Sequence, residues 1–217
     1  MLNSPFWYKR LDMDILSLYG TIWKLIDGTL FLLAAALFFL GVFFAPIVVR
    51  NEIRLLLWYP LWIWRVIKGH IDPDAPFFRL WVLIFSLNSL SLFCNLASGL
   101  FIILSPLFSF LLGVHIAVIC VKEVGKLQLF PLILNPVSLF ELPAAWISLS
   151  LGMSLGRELY FKGYTNVIYL FQQELMGYLF LVLPLLAIAG FIEVSLIKVL
   201  RRGSNNGSGF RKENGQA

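Results

Sequence analysis

Long apolar runs broken by short charged stretches set the pattern of this chain, and a ruler of about 20 mostly apolar residues per membrane-crossing helix sorts the runs into five spans. The first, about 29–49, is closed by Arg50 and carries Pro46 near its end. A second block, Phe77 to Val121, holds no Lys, Asp or Glu and only Arg79 among the arginines. As one helix at about 1.5 Å per residue it would measure more than twice the hydrocarbon thickness. Ser105-Pro106 is the expected break, because proline disfavours helix in the residue before it, so the block reads as a tight hairpin of spans at about 78–104 and 107–121. A fourth span, about 138–155, is interrupted by Glu141 and Pro143 and closed by Gly156-Arg157. The fifth, about 175–200, contains Pro184, Gly190 and Glu193 and ends in Arg201-Arg202.

Three further apolar segments are too short to cross. Residues 13–26 and 55–67 are rich in Trp and Tyr and flanked by charge, a composition that suits interfacial helices or aromatic belts. Residues 1–28 are therefore expected to form an interfacial N-terminal segment. The stretch 127–134 is expected to be re-entrant or to pack under the bundle. Residues 201–217, basic and then rich in Gly, Ser and Asn, are expected to be a disordered tail. The fold class that results is all-α: a polytopic transmembrane helix bundle over 29–200, with about five spans plus interfacial amphipathic helices. No clear repeat of 20 to 50 residues is evident, and a Glu in a Pro-interrupted span, which occurs twice, does not by itself establish internal symmetry.

Composition supports the bilayer and narrows the function. The 217 residues are 59% hydrophobic and 13% charged, with a mean hydropathy of +0.85, whereas soluble chains average about 25% charged. Water-soluble enzymes and nucleic-acid binders are disfavoured. The formal net charge of +5 fits anionic lipid and the enrichment of Lys and Arg beside spans. Twelve of the 17 Lys and Arg fall on the side that holds the C-terminus, which predicts a cytoplasmic C-terminus in a multi-pass protein of the cell membrane. Cys94 and Cys120 lie in apolar runs and read as small buried hydrophobes. No cleavable signal peptide is evident, since the first long apolar run lies behind Lys9, Arg10 and Lys24.

Ionisable residues at membrane depth are the first suspects for function, because each needs a partner, a cavity or a proton. His115, Glu141 and Glu193 are these residues. As a metal set they are weak candidates, since no two share a helix and no i, i+4 spacing supports them. The structural alternative gives Glu193 to Lys198 or Arg201, lets Glu141 snorkel, and satisfies His115 on a carbonyl or on Asn88 or Asn95 across the hairpin. Asn88, Asn95 and Ser98-Gly99 sit at helical spacing and suit close helix packing. Pro143 breaks its span beside an acid. Phosphate-binding loop, zinc-protease, redox-cysteine and serine-hydrolase signatures are absent. The expectation is therefore no cofactor and no enzymatic activity, and any ATPase would be a separate chain.

Asn135-Pro136, Phe140-Glu141-Leu142-Pro143-Ala144, then Gly152 and Gly156 resemble the stage II sporulation protein M family, whose signature carries an F-E-L-P-A core entering a span and a glycine pair after it. Leu83-Ile84-Phe85 ahead of Asn88, Phe110-Leu111-Leu112-Gly113, and Pro184-Leu185-Leu186 through Ile192-Glu193 are similar to other parts of that family. Where the family has Pro-His-Gly before the core, this chain has Pro136-Val137-Ser138. The resemblance implies five or so spans and a non-enzymatic role, in spore formers as the membrane scaffold of a cell-wall-degrading engulfment complex. Many relatives occur in organisms that make no spores, where that role does not apply.

The leading expectation is an integral membrane scaffold or subunit of a membrane complex, a homo-oligomer or one partner among other membrane subunits, with Glu141 and Glu193 organising the bundle or its interface. The alternative is a membrane component of a transporter: the permease partner of a separate ATPase, or a small ion or proton pathway.

Overall fold

The computed structural model describes residues 20–213 apart from 71, 73 and 126. Among the described residues there is no strand. The chain forms α1 (Gly28–Arg50), α2 (Arg54–His70), α3 (Phe77–Ala97) with a 3-10 turn at Ser98–Phe101, α4 (Leu104–Val124), α5 (Leu129–Leu134), α6 (Ser138–Lys162), α7 (Val167–Gly177), a π-turn at Tyr178–Val182, and α8 (Leu183–Glu213). Among the described residues five helical stretches are long and apolar enough to cross a membrane: Gly28–Arg50, Phe77–Phe101, Leu104–Lys122, Ser138–Lys162 and Tyr164–Arg201. Their number is that of the expected spans.

Polar contacts fix which helix ends meet. Arg157 pairs with Asp27 at 2.6 Å, and the Tyr164 hydroxyl donates to the Leu100 carbonyl at 3.1 Å. This gathers the starts of α1 and α4 with the end of α6 at what is called here the Asp27 end. Arg201 pairs with Asp74, and Lys198 donates to the Ala75 carbonyl at 2.5 Å, which joins α8 to the approach to α3 at the Asp74 end.

The centre of the bundle is α6. In its most apolar stretch 72% of residues are buried by protein, against 28–33% for the other four spans, and it touches α1, α3, α4, α5, α7 and α8. Four small serine hydroxyls that need partners away from water bond to backbone: Ser148 donates to the Leu92 carbonyl of α3 at 2.5 Å, Ser150 to that of Ile147, Ser109 of α4 to that of Ala34 in α1, and Ser98 to that of Asn95. Close backbone approach does the rest. A Cβ at Gly41 would collide with the Phe110 carbonyl, and one at Gly113 with that of Phe38, so α1 and α4 run side by side because both positions lack a side chain.

Several expectations are corrected. The hairpin turns at Gly99–Ile103, ahead of Ser105-Pro106: Pro106 stands in the first turn of α4, where its missing N–H has no intrahelical partner to lose, and Ile102 takes a positive φ of 48° at the reversal. The last span begins well before residue 175. The expected disordered tail is helical through Glu213; extending a formed helix needs no new nucleus and no proline intervenes, while residues 214–217 lie outside the described residues. Cys94 is exposed on the outer face of α3, and only Cys120 is partly covered, because Cys94 stands one residue off the inward stripe of Leu92, Asn95 and Leu96.

The connecting segments behave as short apolar elements with one covered face. In α2, Leu56 and Leu57 pack on the cluster around Phe38 and Val42, while Leu55, Trp58, Tyr59 and Trp62 are exposed and the two indoles stack at 6.0 Å. Leu127 and Leu132 pack on that same cluster. Of the segment at 13–26, residues 13–19 lie outside the described residues, and Ile22 is fully buried in the largest core cluster.

Candidate functional site

Glu141 lies in the first turn of α6, where a helix N-terminus favours an acid. Pro143 follows two residues later and, having no N–H, leaves the Leu139 carbonyl without its helical donor, which loosens the backbone beside the acid. The Asn88 amide of α3 donates to Glu141 Oε1 at 2.7 Å. Glu193 of α8 comes within Coulombic reach of the same carboxyl. Three spans thus bring Asn88, Glu141 and Glu193 together. Arg201, expected as a partner for Glu193, pairs with Asp74 instead.

The remaining candidates stand apart. The His115 ring packs against Tyr59 at 5.5 Å, and its Nδ1 has no hydrogen-bond partner. It meets neither Asn88 nor Asn95, because it faces α2 while both asparagines face α6. Among the described residues no group of three or more His, Cys, Asp or Glu is placed to hold a metal. Asn95 is buried at the Asp27 end with its Nδ2 unbonded, beside Ser98, whose hydroxyl lies 2.7 Å from that of Ser105.

A second acid cluster was not visible in the sequence reading. Glu174 of α7 is only 8% exposed. Ser154, Arg157 and Glu158 of α6 are the polar groups that stand near its carboxyl. Glu158 pairs with Lys162, and Arg157 reaches across to Asp27, the N-cap of α1, whose carboxylate also accepts from the Thr29 N–H at 2.9 Å. The guanidinium beside it holds the Asp27 carboxyl below the usual carboxylate range. Glu174 escaped detection because the apolar ruler starts the fifth span one residue past it.

The profile of stage II sporulation protein M matches residues 34–196, a stretch that contains Asn88, Glu141, Glu174 and Glu193 alike. The chain belongs to the stage II sporulation protein M family. No curated protein and no solved structure matches it. For this family member the structure gives a physical role to the residues that carried the resemblance. The F-E-L-P-A core places an acid and a proline at the mouth of the central helix. The glycine pair one turn apart, Gly152 and Gly156, makes the bed for the hairpin turn: a Cβ at Gly152 would lie 2.6 Å from Ser105 Oγ and 2.7 Å from the Asn95 carbonyl, and one at Gly156 would meet Ile102 at 3.1 Å.

Proposed function

We propose that this chain is a non-enzymatic integral membrane scaffold or subunit, with the Asn88–Glu141–Glu193 cluster organising the bundle and presenting an interface to a second copy or to other membrane subunits. The observation that carries this reading is the 2.7 Å bond from Asn88 to Glu141 at the meeting of α3, α6 and α8. A polar tie between spans selects one helix arrangement among the many that apolar packing alone permits. The excess of Lys and Arg on the C-terminal side supports an orientation in which this cluster lies toward the cytoplasm. Membership of a family named for sporulation fits a role in a membrane assembly. Glu141→Gln and Glu193→Gln should each lower the yield of monodisperse protein or of the complex that copurifies with it; wild-type assembly in both variants would sink the reading.

A second reading, a transporter component, is favoured by one feature of the last span. Its hydrogen-bond ladder changes to a π-turn at Tyr178–Val182, just before Pro184, and interrupted helices at membrane depth often border substrate sites. This reading calls for a separate ATPase chain or for ion flux through the protein alone. Proton or ion flux in proteoliposomes that disappears in the Glu141→Gln, Glu193→Gln double variant would put it first.

A further inference from the structure

The approach to α3 is braced from two sides. Lys198 of α8 donates to the Ala75 carbonyl at 2.5 Å and Arg201 pairs with Asp74. Within the turn itself, the Asp72 carboxylate accepts the Asp74 N–H at 2.9 Å through Oδ1, and the Asp72 carbonyl accepts the Ala75 N–H at 3.0 Å. This turn forms the mouth of a groove of about 380 Å³ on the outer face of α3. Asp72 and Arg79 line its polar part, and Val82, Leu83 and Ser86 line the rest. Arg79, Val82, Leu83 and Ser86 recur at i, i+3, i+4 and i+7, the spacing of a single helix face. The groove therefore descends about 10 Å along α3 from its third residue. Its charged end stands at the boundary between water and hydrocarbon, and its other end among the acyl chains.

The two charges at the mouth have no counter-ion among the described residues. Arg79 and Asp72 line the same groove, yet they do not pair with each other or with any other described charge. Of the cations of α8 nearby, Arg201 is taken by Asp74 and Lys198 donates to the Ala75 carbonyl. One anion and one cation at headgroup level, above an apolar trough, complement a ligand that carries a phosphate, an ammonium and a hydrocarbon chain. We infer that the groove binds one bilayer phospholipid with an aminoethyl-phosphate headgroup. Its phosphate lies on the Arg79 guanidinium, its ammonium on the Asp72 carboxylate, and an acyl chain along Val82, Leu83 and Ser86. The planar fork of arginine matches phosphate oxygens. A primary ammonium has three N–H donors for the carboxylate, and a quaternary one has none. A phosphoglycerol headgroup offers Asp72 no cation and sets a net negative charge beside it. The site shares no residue with the Asn88–Glu141–Glu193 cluster, so it stands or falls apart from the scaffold reading.

Native mass spectrometry of the full chain in detergent tests the site through the fraction of protein that carries one added lipid. Phosphatidylethanolamine, phosphatidylcholine and phosphatidylglycerol with identical acyl chains are compared. Phosphatidylethanolamine should exceed the other two by about threefold or more, the scale of an ion pair at an exposed site. Asp72→Asn keeps an oxygen for the Asp74 N–H and should bring phosphatidylethanolamine down to the level of phosphatidylcholine. Arg79→Gln should lower both. Ser86→Phe fills the trough and should lower all three lipids, whereas Arg54→Gln, which removes an exposed cation from α2 instead, should change none. Asp72, Arg79 and Ser86 are all exposed, so these substitutions leave the core intact. Equal binding of the three lipids by wild type, a preference that survives Asp72→Asn, or undiminished binding by Ser86→Phe overturns the site. Tighter binding of phosphatidylglycerol overturns it in favour of a simple anion site.

Discussion

The two ends of the seam between α6 and the last span solve the same electrostatic problem in opposite ways. At the Asp74 end the acids Glu141 and Glu193 are half-buried, and Glu141 is given a strong donor, the amide of Asn88. At the Asp27 end Glu174 is almost wholly buried with its Oε2 unbonded, while Gly152 and Gly156 let the hairpin turn come down on α6 and Gly177 lets the last span close on the Leu151 side chain. One end is held by a directional bond and the other by close packing. A directional tie fixes which helices meet and tolerates some looseness; close packing tolerates no added atom.

The largest expected effect comes from breaking the packed end. Gly152→Leu forces a side chain into Ser105 Oγ and the Asn95 carbonyl, the second of which is backbone and cannot swing aside. Overpacking of this kind costs about 1–3 kcal/mol and sometimes more, against a helix-propensity gain of under about 1 kcal/mol. The variant should lose monodispersity on size-exclusion chromatography. Gly190→Ala is the control, since its Cβ would meet Trp81 at 3.5 Å, an ordinary contact; it should match or exceed wild-type thermal stability. Equal tolerance at both glycines would erase the proposed contrast.

Breaking the directional end should cost less. Asn88→Ala leaves a carboxyl oxygen of Glu141 without its donor, a loss of about 1–3 kcal/mol for a buried polar group. Because the two side chains touch, the Asn88→Ala and Glu141→Ala changes should be non-additive, the double variant losing less than the sum of the singles. Thermal denaturation in one detergent for all four proteins measures this. Full additivity would mean that the bond does not couple α3 to α6.

How much of this contrast the sequence revealed depends on the kind of interaction. The spans follow from hydrocarbon thickness, a property of local composition, and Glu141 and Glu193 stand out because each interrupts a clear apolar run in a span that also holds a proline. Their meeting with Asn88 depends on which helices neighbour which, and no spacing within one helix encodes that. Glu174 was hidden because Gln172, Gln173 and Glu174 together look like the polar flank of a span, whereas the π-turn and α7 carry the helix on through them. The hairpin turn was misplaced by three or four residues, since Pro106 fits the start of a helix as well as the end of one. The central position of α6, the least apolar of the five spans, was also not legible: a helix surrounded by protein needs less lipid-facing hydrophobicity and can carry the serines and glycines that its neighbours use.

The smallest expected effect lies at the rim of the packed end. Asp27→Asn keeps a side-chain oxygen to cap α1 but removes the charge that Arg157 holds. The side chains of Arg157 and Asp27 are 43% and 28% exposed, so screening limits the pair to about 1 kcal/mol or less near neutral pH. The pH dependence is more telling than the size. Because the Asp27 carboxyl titrates below its ordinary value of 3.8 when folded, its contribution is complete above that value and is lost as the pH falls through the lower folded one. Wild type should therefore lose stability relative to Asp27→Asn only in acid, and the two melting curves should run parallel from mildly acidic to neutral pH. A difference confined to neutral pH would show that Arg157 answers to another carboxyl, and Glu174, which lies within its Coulombic reach, would be the group to mutate next.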